Sequence, residues 1–343
     1  MMKQKLMSHK LRNLVFVAAA LFLPQQSNAV DVSGGVTLGV MPLTKTLGGE
    51  QVTFWVYCIM GMATPGGCMD PQLPGPLLEL GVGAQASVTL MVGMMGGGGG
   101  MMPGEPAPYD GHTIHFHGLD VPQAEDGVPE TGAATNGDTY NFNVDSRYVG
   151  SHKYHCHVHT VKHLEMGMYG GFIVRAVDAQ GNFVNTINQD GPAYDFEWNW
   201  VLSTVDPRYH TVEGDDPVFA SYEPQYFLIN GNEGTSRAAP ADALMATPGA
   251  DVAIRLMGLH SVNASFQILD DSNIPQSFVL HNRDGFALNT PQTVTEVTLS
   301  PGQTKDIMIS LPSTPGILYP EVTYRHLADD TPFGTVYSTL TFN

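Results

Sequence analysis

The chain has 343 residues, 33 of them acidic and 15 lysine or arginine, and its formal net charge is −18. This negative charge argues against nucleic acids and anionic membrane surfaces as partners, because both would repel the protein. The length is sufficient for two domains of about 150 residues, each with its own hydrophobic core.

The N-terminal segment has the layout of a secretory signal peptide. Four basic residues lie between Lys3 and Arg12, an apolar run follows from Leu14 to Leu23, and small residues lead up to Ala29. We expect residues 1–29 to be removed and the mature protein to be exported, with the periplasm as the expected compartment. The apolar run has about ten residues, whereas a membrane-spanning helix needs roughly 20, so no membrane span is expected.

Short runs rich in Val, Ile, Thr, Phe and Tyr alternate with Gly, Pro, Asn and Asp clusters along the chain, and no segment has the apolar periodicity of a helix. The runs are Val52–Tyr57, Ala86–Val92, Thr113–His117, Thr139–Val144, Gly171–Val174, Phe196–Leu202, Tyr226–Ile229, Asp251–Met257, Ser277–Leu280, Thr293–Leu299, Asp306–Leu311 and Thr335–Phe342. The pattern predicts an all-β protein with two sandwich domains, at residues 30–177 and 193–343, joined by a polar linker at 178–192. Residues 91–108, rich in Gly and Met, predict a loop within the first domain.

The chain has three cysteines. In an oxidising compartment Cys58 and Cys68 are natural disulfide partners across a short Gly/Pro loop. Cys156 is then the remaining thiol, and it lies between His155 and His157.

Eight of the 13 histidines fall between His112 and His163. Residues two apart in a strand share a face, so His115 and His117 point one way and His112 the other. By the same rule His155 and His157 share a face, and Cys156 points to the opposite one. If the two strands lie side by side, the motifs make two sites. His152 and His159 are off this pattern, and we expect both to be exposed.

The first predicted site contains His112, Cys156, His163 and Met168. Two imidazoles and a thiolate with a weak thioether ligand form the electron-transfer set of blue-copper proteins, and the thioether favours copper over zinc. The second predicted site contains four imidazoles, from His115, His117, His155 and His157. It suits a copper ion with open positions for a small oxidant.

These motifs resemble those of the multicopper oxidase family, whose last copper-binding domain carries HxxHxH followed by HCH. The match is best over residues 75–174, including Asp126-Gly127-Val-Pro and the segment from Gly167 to Val174. The resemblance implies cupredoxin-like Greek-key β-sandwiches and copper as the cofactor. It implies type 1 ligands at His112, Cys156, His163 and Met168, and type 2 or type 3 ligands at His115, His117, His155 and His157. It also implies one-electron oxidation of a small-molecule or metal-ion donor, coupled to reduction of dioxygen.

Two features depart from the family pattern. The type 1 histidine follows Cys156 by seven positions instead of five, although the step from His163 to Met168 is kept. The second half of the chain has no HxH pair and offers only isolated histidines at 260, 281 and 326. A complete trinuclear copper centre within one chain is therefore not expected.

Two alternative functions remain open. Copper nitrite reductases are more distantly similar, and in that scheme His117 and His155 share a copper with His326 from a neighbouring subunit. His115, however, stands where those enzymes have an aspartate, so we rank the oxidase first. Both schemes imply a homo-oligomer such as a trimer. The other alternative is a non-catalytic blue-copper carrier or copper-resistance protein with one copper per chain.

Overall fold

The computed structural model describes residues 29–61, 67–92, 111–131, 138–211 and 221–343. The predicted signal peptide up to residue 28 and most of the segment 91–108 lie outside the described residues. None of the helices in these ranges is long and apolar enough to cross a membrane.

The described residues of the first half form ten strands and one α-helix. The strands are β1 (Val30–Asp31), β2 (Val36–Leu47), β3 (Glu50–Met60), β4 (Cys68–Met69), β5 (Gly75–Gly81), β6 (Gln85–Met91), β7 (His115–His117), β8 (Thr139–Asn143), β9 (Gly150–His155) and β10 (Tyr169–Arg175). The helix α1 spans Thr160–Glu165, and short 3₁₀ turns span Gln123–Glu125, Pro129–Thr131 and Ser146–Tyr148.

Two five-stranded sheets pack face to face in this first sandwich. Their orders are β1-β5-β10-β9-β7 and β4-β3-β2-β6-β8. Side chains alternate between buried and more exposed along β6 and β8, as expected of strands with one face on a core. The core includes Trp55, Phe116, Tyr154 and Phe172, and it also takes in Cys156 and Met168. The predicted disulfide between Cys58 and Cys68 is confirmed, and it links β3 to β4.

The second half forms a second sandwich, with thirteen strands in the part that the structure describes. These are β11 (Phe196–Val205), β12 (Tyr226–Ile229), β13 (Asn232–Glu233), β14 (Ala243–Ala246), β15 (Asp251–Gly258), β16 (Asn263–Leu269), β17 (Phe278–Arg283), β18 (Phe286–Val294), β19 (Glu296–Leu299), β20 (Thr304–Ser310), β21 (Gly316–Arg325), β22 (Pro332–Tyr337) and β23 (Thr339–Phe342). A 3₁₀ turn spans Pro207–His210. One sheet runs β13-β12-β11-β15-β20-β17-β18, and the other runs β14-β23-β21-β16-β19 with β22 beside β21. Trp200 and Phe266 lie in the core between them.

The predicted all-β class of cupredoxin-like sandwiches is confirmed. The sequence did not predict α1, which lies between Cys156 and Met168. The segment predicted as a linker packs closely, since Ile187 is fully buried against Ala253 and Met308 of the second sandwich.

The two sandwiches meet through an apolar layer and a buried ionic network. Phe54 and Ile173 of the first sandwich pack with Leu228 and Met257 of the second. The network then runs through five charged residues that lie up to 227 positions apart in sequence, Glu79, Arg175, Glu197, Arg255 and Asp306. Ion pairing explains why these charges are tolerated in the interior.

Candidate metal centres

Strand pairing brings the two histidine motifs together. β7 pairs antiparallel with β9, and His115 lies directly opposite His155. Cys156 follows the end of β9, and its backbone N–H donates to the carbonyl of Met168 at 3.0 Å. The expected side-by-side arrangement of the motifs is therefore confirmed.

The residues of the first predicted site, here named the first set, lie close together and are buried. The ligand atoms of His112, Cys156 and His163 all lie within 4.8 Å of one another, and Cys156 Sγ is 3.1 Å from His163 Nδ1. All three side chains are buried, as is Met168. Met168 is joined to the set through the backbone, because its N–H donates to the carbonyl of His163 at 3.0 Å.

The longer loop between Cys156 and His163 is explained by α1. The helix begins after His159, and the backbone N–H of His163 donates to the carbonyl of His159 at 3.0 Å. This N–H to i−4 carbonyl bond closes a helical turn, which the two additional residues accommodate. His163 therefore comes from a helix, which places its ring 5.0 Å from that of His112.

The second sandwich holds α1 from outside. Glu165, at the end of the helix, accepts hydrogen bonds from the backbone N–H of Asp206 at 2.6 Å and from the Tyr222 hydroxyl at 2.8 Å. The Lys162 ammonium donates to the carbonyl of Tyr209. The loop that carries the first set thus depends on both sandwiches for its position.

The residues of the second predicted site, here named the second set, are His115, His117, His155 and His157, and the last two flank Cys156 in the chain. The ligand atoms of His115, His117 and His155 lie within 4.8 Å of one another, and His117 Nδ1 is 3.2 Å from His155 Nε2. His157 joins them through its ring, 5.3 Å from that of His115 and stacked 5.9 Å from that of His155.

Hydrogen bonds orient two of these rings. His115 Nδ1 is 2.7 Å from the carbonyl of Asp126 and 3.2 Å from its carboxylate, and His155 Nδ1 is 2.9 Å from the carbonyl of Cys156. A partner at Nδ1 fixes each ring and leaves Nε2 as the candidate ligand atom, which is the usual arrangement of histidine ligands. In His155 this Nε2 faces His117 Nδ1.

Burial keeps four of the candidate ligand histidines neutral. It lowers the pKa of His112, His117 and His155 to about 3 and that of His163 to about 2, because water no longer stabilises the charged ring. Burial also raises the pKa of the Cys156 thiol to about 11. The imidazole lone pairs are available at neutral pH, whereas the thiol becomes a thiolate only beside a compensating cation.

The donor atoms fit copper at both sets. Two imidazoles, a thiol and a nearby thioether suit copper at the first set, and a group of imidazoles suits copper at the second. The assignment of these residues as ligands remains a prediction.

His326 lies apart from both sets. Its ring stacks on Phe333 at 3.6 Å, and no other histidine or cysteine of the described residues forms a metal-binding group with it. Its predicted role in a site shared between subunits is not tested by a single chain.

Sequence reasoning missed residues that support the ligands. The Thr113 hydroxyl accepts a hydrogen bond from the backbone N–H of His157 at 3.0 Å. The backbone carbonyl of Asp126 contacts His115 Nδ1, and the Asp126-Gly127 motif in the sequence could have indicated this supporting role. The expectation that His152 is exposed was wrong: its ring is buried, lies 2.8 Å from the carbonyl of Tyr148, and is covered by the second sandwich at Gly285.

A cleft of about 350 Å³ opens between the sandwiches beside the second set. His117, Lys153, Asp284 and Gly302 line it, and the Lys153 ammonium donates to the carbonyl of Gly302. A small molecule could therefore reach His117 from the domain interface.

Comparison with known protein families finds a match for part of the chain. Residues 109–179, which contain both sets, match the sequence model of the multicopper oxidases. This segment belongs to the multicopper oxidase family. No curated protein sequence matches the chain.

Solved multicopper oxidase structures have the same fold. A blue copper oxidase from Nitrosomonas europaea is 21% identical, with 89% of this chain and 85% of that chain covered and a TM-score of 0.62. A multicopper oxidase from Pseudomonas thermotolerans is 19% identical over 92% of this chain and 64% of that one, with a TM-score of 0.61. A Campylobacter jejuni multicopper oxidase described as a metallo-oxidase is 19% identical over 90% and 57%, also with a TM-score of 0.61.

The family match supports an oxidoreductase with copper as its cofactor. The histidine and cysteine groups are consistent with that cofactor.

Proposed function

We propose that the protein is an exported copper oxidase that removes single electrons from a donor at the first set and reduces dioxygen at the second. The observation that carries the proposal is the position of Cys156, which lies in the first set and is bonded through the main chain to His155 of the second. A few covalent bonds therefore connect the two sets. A carrier with a single copper site would have no use for this connection.

Copper bound at the two sets would supply one-electron transfer and the activation of dioxygen. The residues of the first set exclude water and hold their donor atoms in a packed core, which limits rearrangement when the charge of the site changes. Asp126 holds His115 in place at the second set. The cleft beside His117 gives dioxygen a route from the domain interface.

The donor is a small molecule or a metal ion. The Campylobacter jejuni relative is described as a metallo-oxidase, which makes a reduced metal ion a reasonable first donor to test. We further propose that the mature protein begins at Val30, is periplasmic and forms a homo-oligomer. Mass spectrometry of the exported protein and analytical ultracentrifugation test these points.

The deciding experiment is copper stoichiometry of the copper-loaded protein, combined with visible and electron paramagnetic resonance spectra. We expect an intense blue band and at least two coppers per chain. Cys156→Ser should remove the band, and His117→Ala should remove only non-blue copper. Oxygen consumption with a phenol or Cu(I) as donor should be lost in both variants.

Two outcomes favour the alternatives. One blue copper per chain without oxygen consumption indicates a carrier or shuttle. Loss of the non-blue copper in His326→Ala, together with nitrite reduction, indicates a nitrite reductase-like enzyme. The ring contact between His157 and His115 favours the oxidase, because a site with only His117, His155 and a partner's histidine would leave these two rings without a role.

A further inference from the structure

The imidazole of His163 is shut off from solvent. The residue is only 3% exposed, and within the described part of the chain its ring contacts those of Trp55, His112 and His159. Trp55 and His112 are themselves fully buried, as is Cys156. A donor in solution therefore cannot touch His163 through any of these three buried side chains.

His159 differs from these neighbours because it is partly exposed. Its ring centroid lies 5.9 Å from that of His163 in an edge-to-face contact, and its carbonyl accepts the backbone N–H of His163 at 3.0 Å. Of these three residues, only His159 is partly exposed. It contacts His163 through its ring and also through its backbone carbonyl.

The backbone at His159 has an uncommon conformation. Its φ of 42° and ψ of 54° lie in the left-handed region, which residues with a Cβ rarely adopt. This turn connects the end of the Cys156 segment to α1. Glycine would adopt it more readily, because it has no Cβ. A strained residue beside a candidate site is a reason to look for a function of its side chain.

We propose that His159 is the residue through which electrons enter the first set. The inference rests on the proposed function, because it requires copper at His112, Cys156 and His163. In this step one electron would pass from the donor, which is oxidised, to a cupric ion held by the first set, which would be reduced to cuprous ion. No bond forms or breaks. The donor is a one-electron reductant that meets the partly exposed His159. Val161 is the second residue of α1 and is 57% exposed, so it adds apolar surface close to His159 in the chain.

The test uses His159→Gly and His159→Asn, which remove the ring and suit the left-handed backbone. Asn273→Gly is the matched control, since it makes the same kind of change at an exposed left-handed residue with φ 61° in the second sandwich. Reduction of copper-loaded protein by hydroquinone is followed without oxygen as bleaching of the blue band. We expect about tenfold slower reduction or more in both His159 variants, with an unchanged blue spectrum and unchanged reoxidation by dioxygen.

A second measurement needs no copper. Diethyl pyrocarbonate should modify His159 of the copper-free protein faster than His163, as located by mass spectrometry. Equal modification of the two rings would overturn the proposal, because His163 would then be open to solvent itself.

The outcomes separate this inference from the proposed function. If the wild-type protein has no blue band, the type 1 assignment fails, and the role of His159 fails with it. If the band is present and the His159 variants are reduced as fast as the wild type, or faster, only the role of His159 is overturned.

Discussion

The buried carboxylate of Asp306 should be the most sensitive point of contact between the two sandwiches. It accepts from the backbone N–H of Ser151 at 3.1 Å, from Asn282 Nδ2 at 2.6 Å and from Arg255 Nη1 at 3.0 Å, and the Ser151 hydroxyl also donates to it. All four side chains are at most 1% exposed. Ser151 belongs to β9, the strand that ends at His155, so this contact ties the histidine strand to the second sandwich.

The cost of Asp306→Ala follows from these contacts. The substitution leaves the buried Arg255 with Glu197, 2.6 Å away, as its remaining carboxylate partner, and it removes the acceptor of three further donors. Removing one partner of a buried ion pair costs about 3–5 kcal/mol of the free energy of unfolding. At about 2–4 °C per kcal/mol, the midpoint of thermal unfolding should fall by roughly 6–20 °C. Asp306→Asn, which keeps one acceptor oxygen, should lose about 1–3 kcal/mol.

The assay is urea unfolding of copper-free protein, followed by tryptophan fluorescence. It reports on both sandwiches, because Trp55 is buried in the first and Trp200 in the second. Asp120→Asn is the control, since it removes the same charge from an ion pair with Arg147 whose side chains are 79% and 58% exposed; it should cost under about 1 kcal/mol. A loss below about 1 kcal/mol for Asp306→Ala would refute the reasoning, because Arg255 would then be satisfied without Asp306.

Three further predictions concern His260, Glu165 and Gly127. Burial lowers the pKa of His260 from 6.5 to about 4. Below pH 6.5 the unfolded chain therefore binds a proton that the folded chain does not, and the free energy of unfolding decreases as the pH is lowered. Between pH 7 and pH 5 the wild type should lose about 2 kcal/mol more than His260→Gln in urea unfolding. Glu165→Gln leaves one donor of the second sandwich unsatisfied and should cost about 1–3 kcal/mol, with copper leaving the first set faster, as measured by decay of the blue band in a chelator. Gly127→Ala places a Cβ 2.0 Å from the carbonyl oxygen of Ile114 at a φ of 69°; it should cost about 2–4 kcal/mol and reduce non-blue copper.

Each of these has a contradicting result. Parallel pH profiles for His260→Gln and the wild type would show that this ring does not titrate as argued. An unchanged rate of blue-band decay in Glu165→Gln would mean that α1 keeps its position without the second sandwich. Normal copper content in Gly127→Ala would show that the turn at residues 126–127 does not determine the position of His115.

The arrangement of the two centres was predictable because strand geometry is simple. Side chains alternate faces with a period of two, and this rule alone predicts His115 and His117 on one side and Cys156 on the other. The helix α1 was not predictable, because six residues are too few to show a helical period. Its position depends on Glu165 and Lys162 contacting a turn that lies about 40 residues further along the chain.

The sequence by itself determined the all-β class, the disulfide and the candidate ligand sets, because each depends on residue type and short-range spacing. Only the tertiary structure decided how deeply His163 is buried, that His152 is covered by Gly285, and which charges meet at the domain interface. Ser151 and Asp306, which are hydrogen-bonded across this interface, lie 155 positions apart. No local pattern connects residues at such separations, since their pairing depends on how the two sandwiches pack.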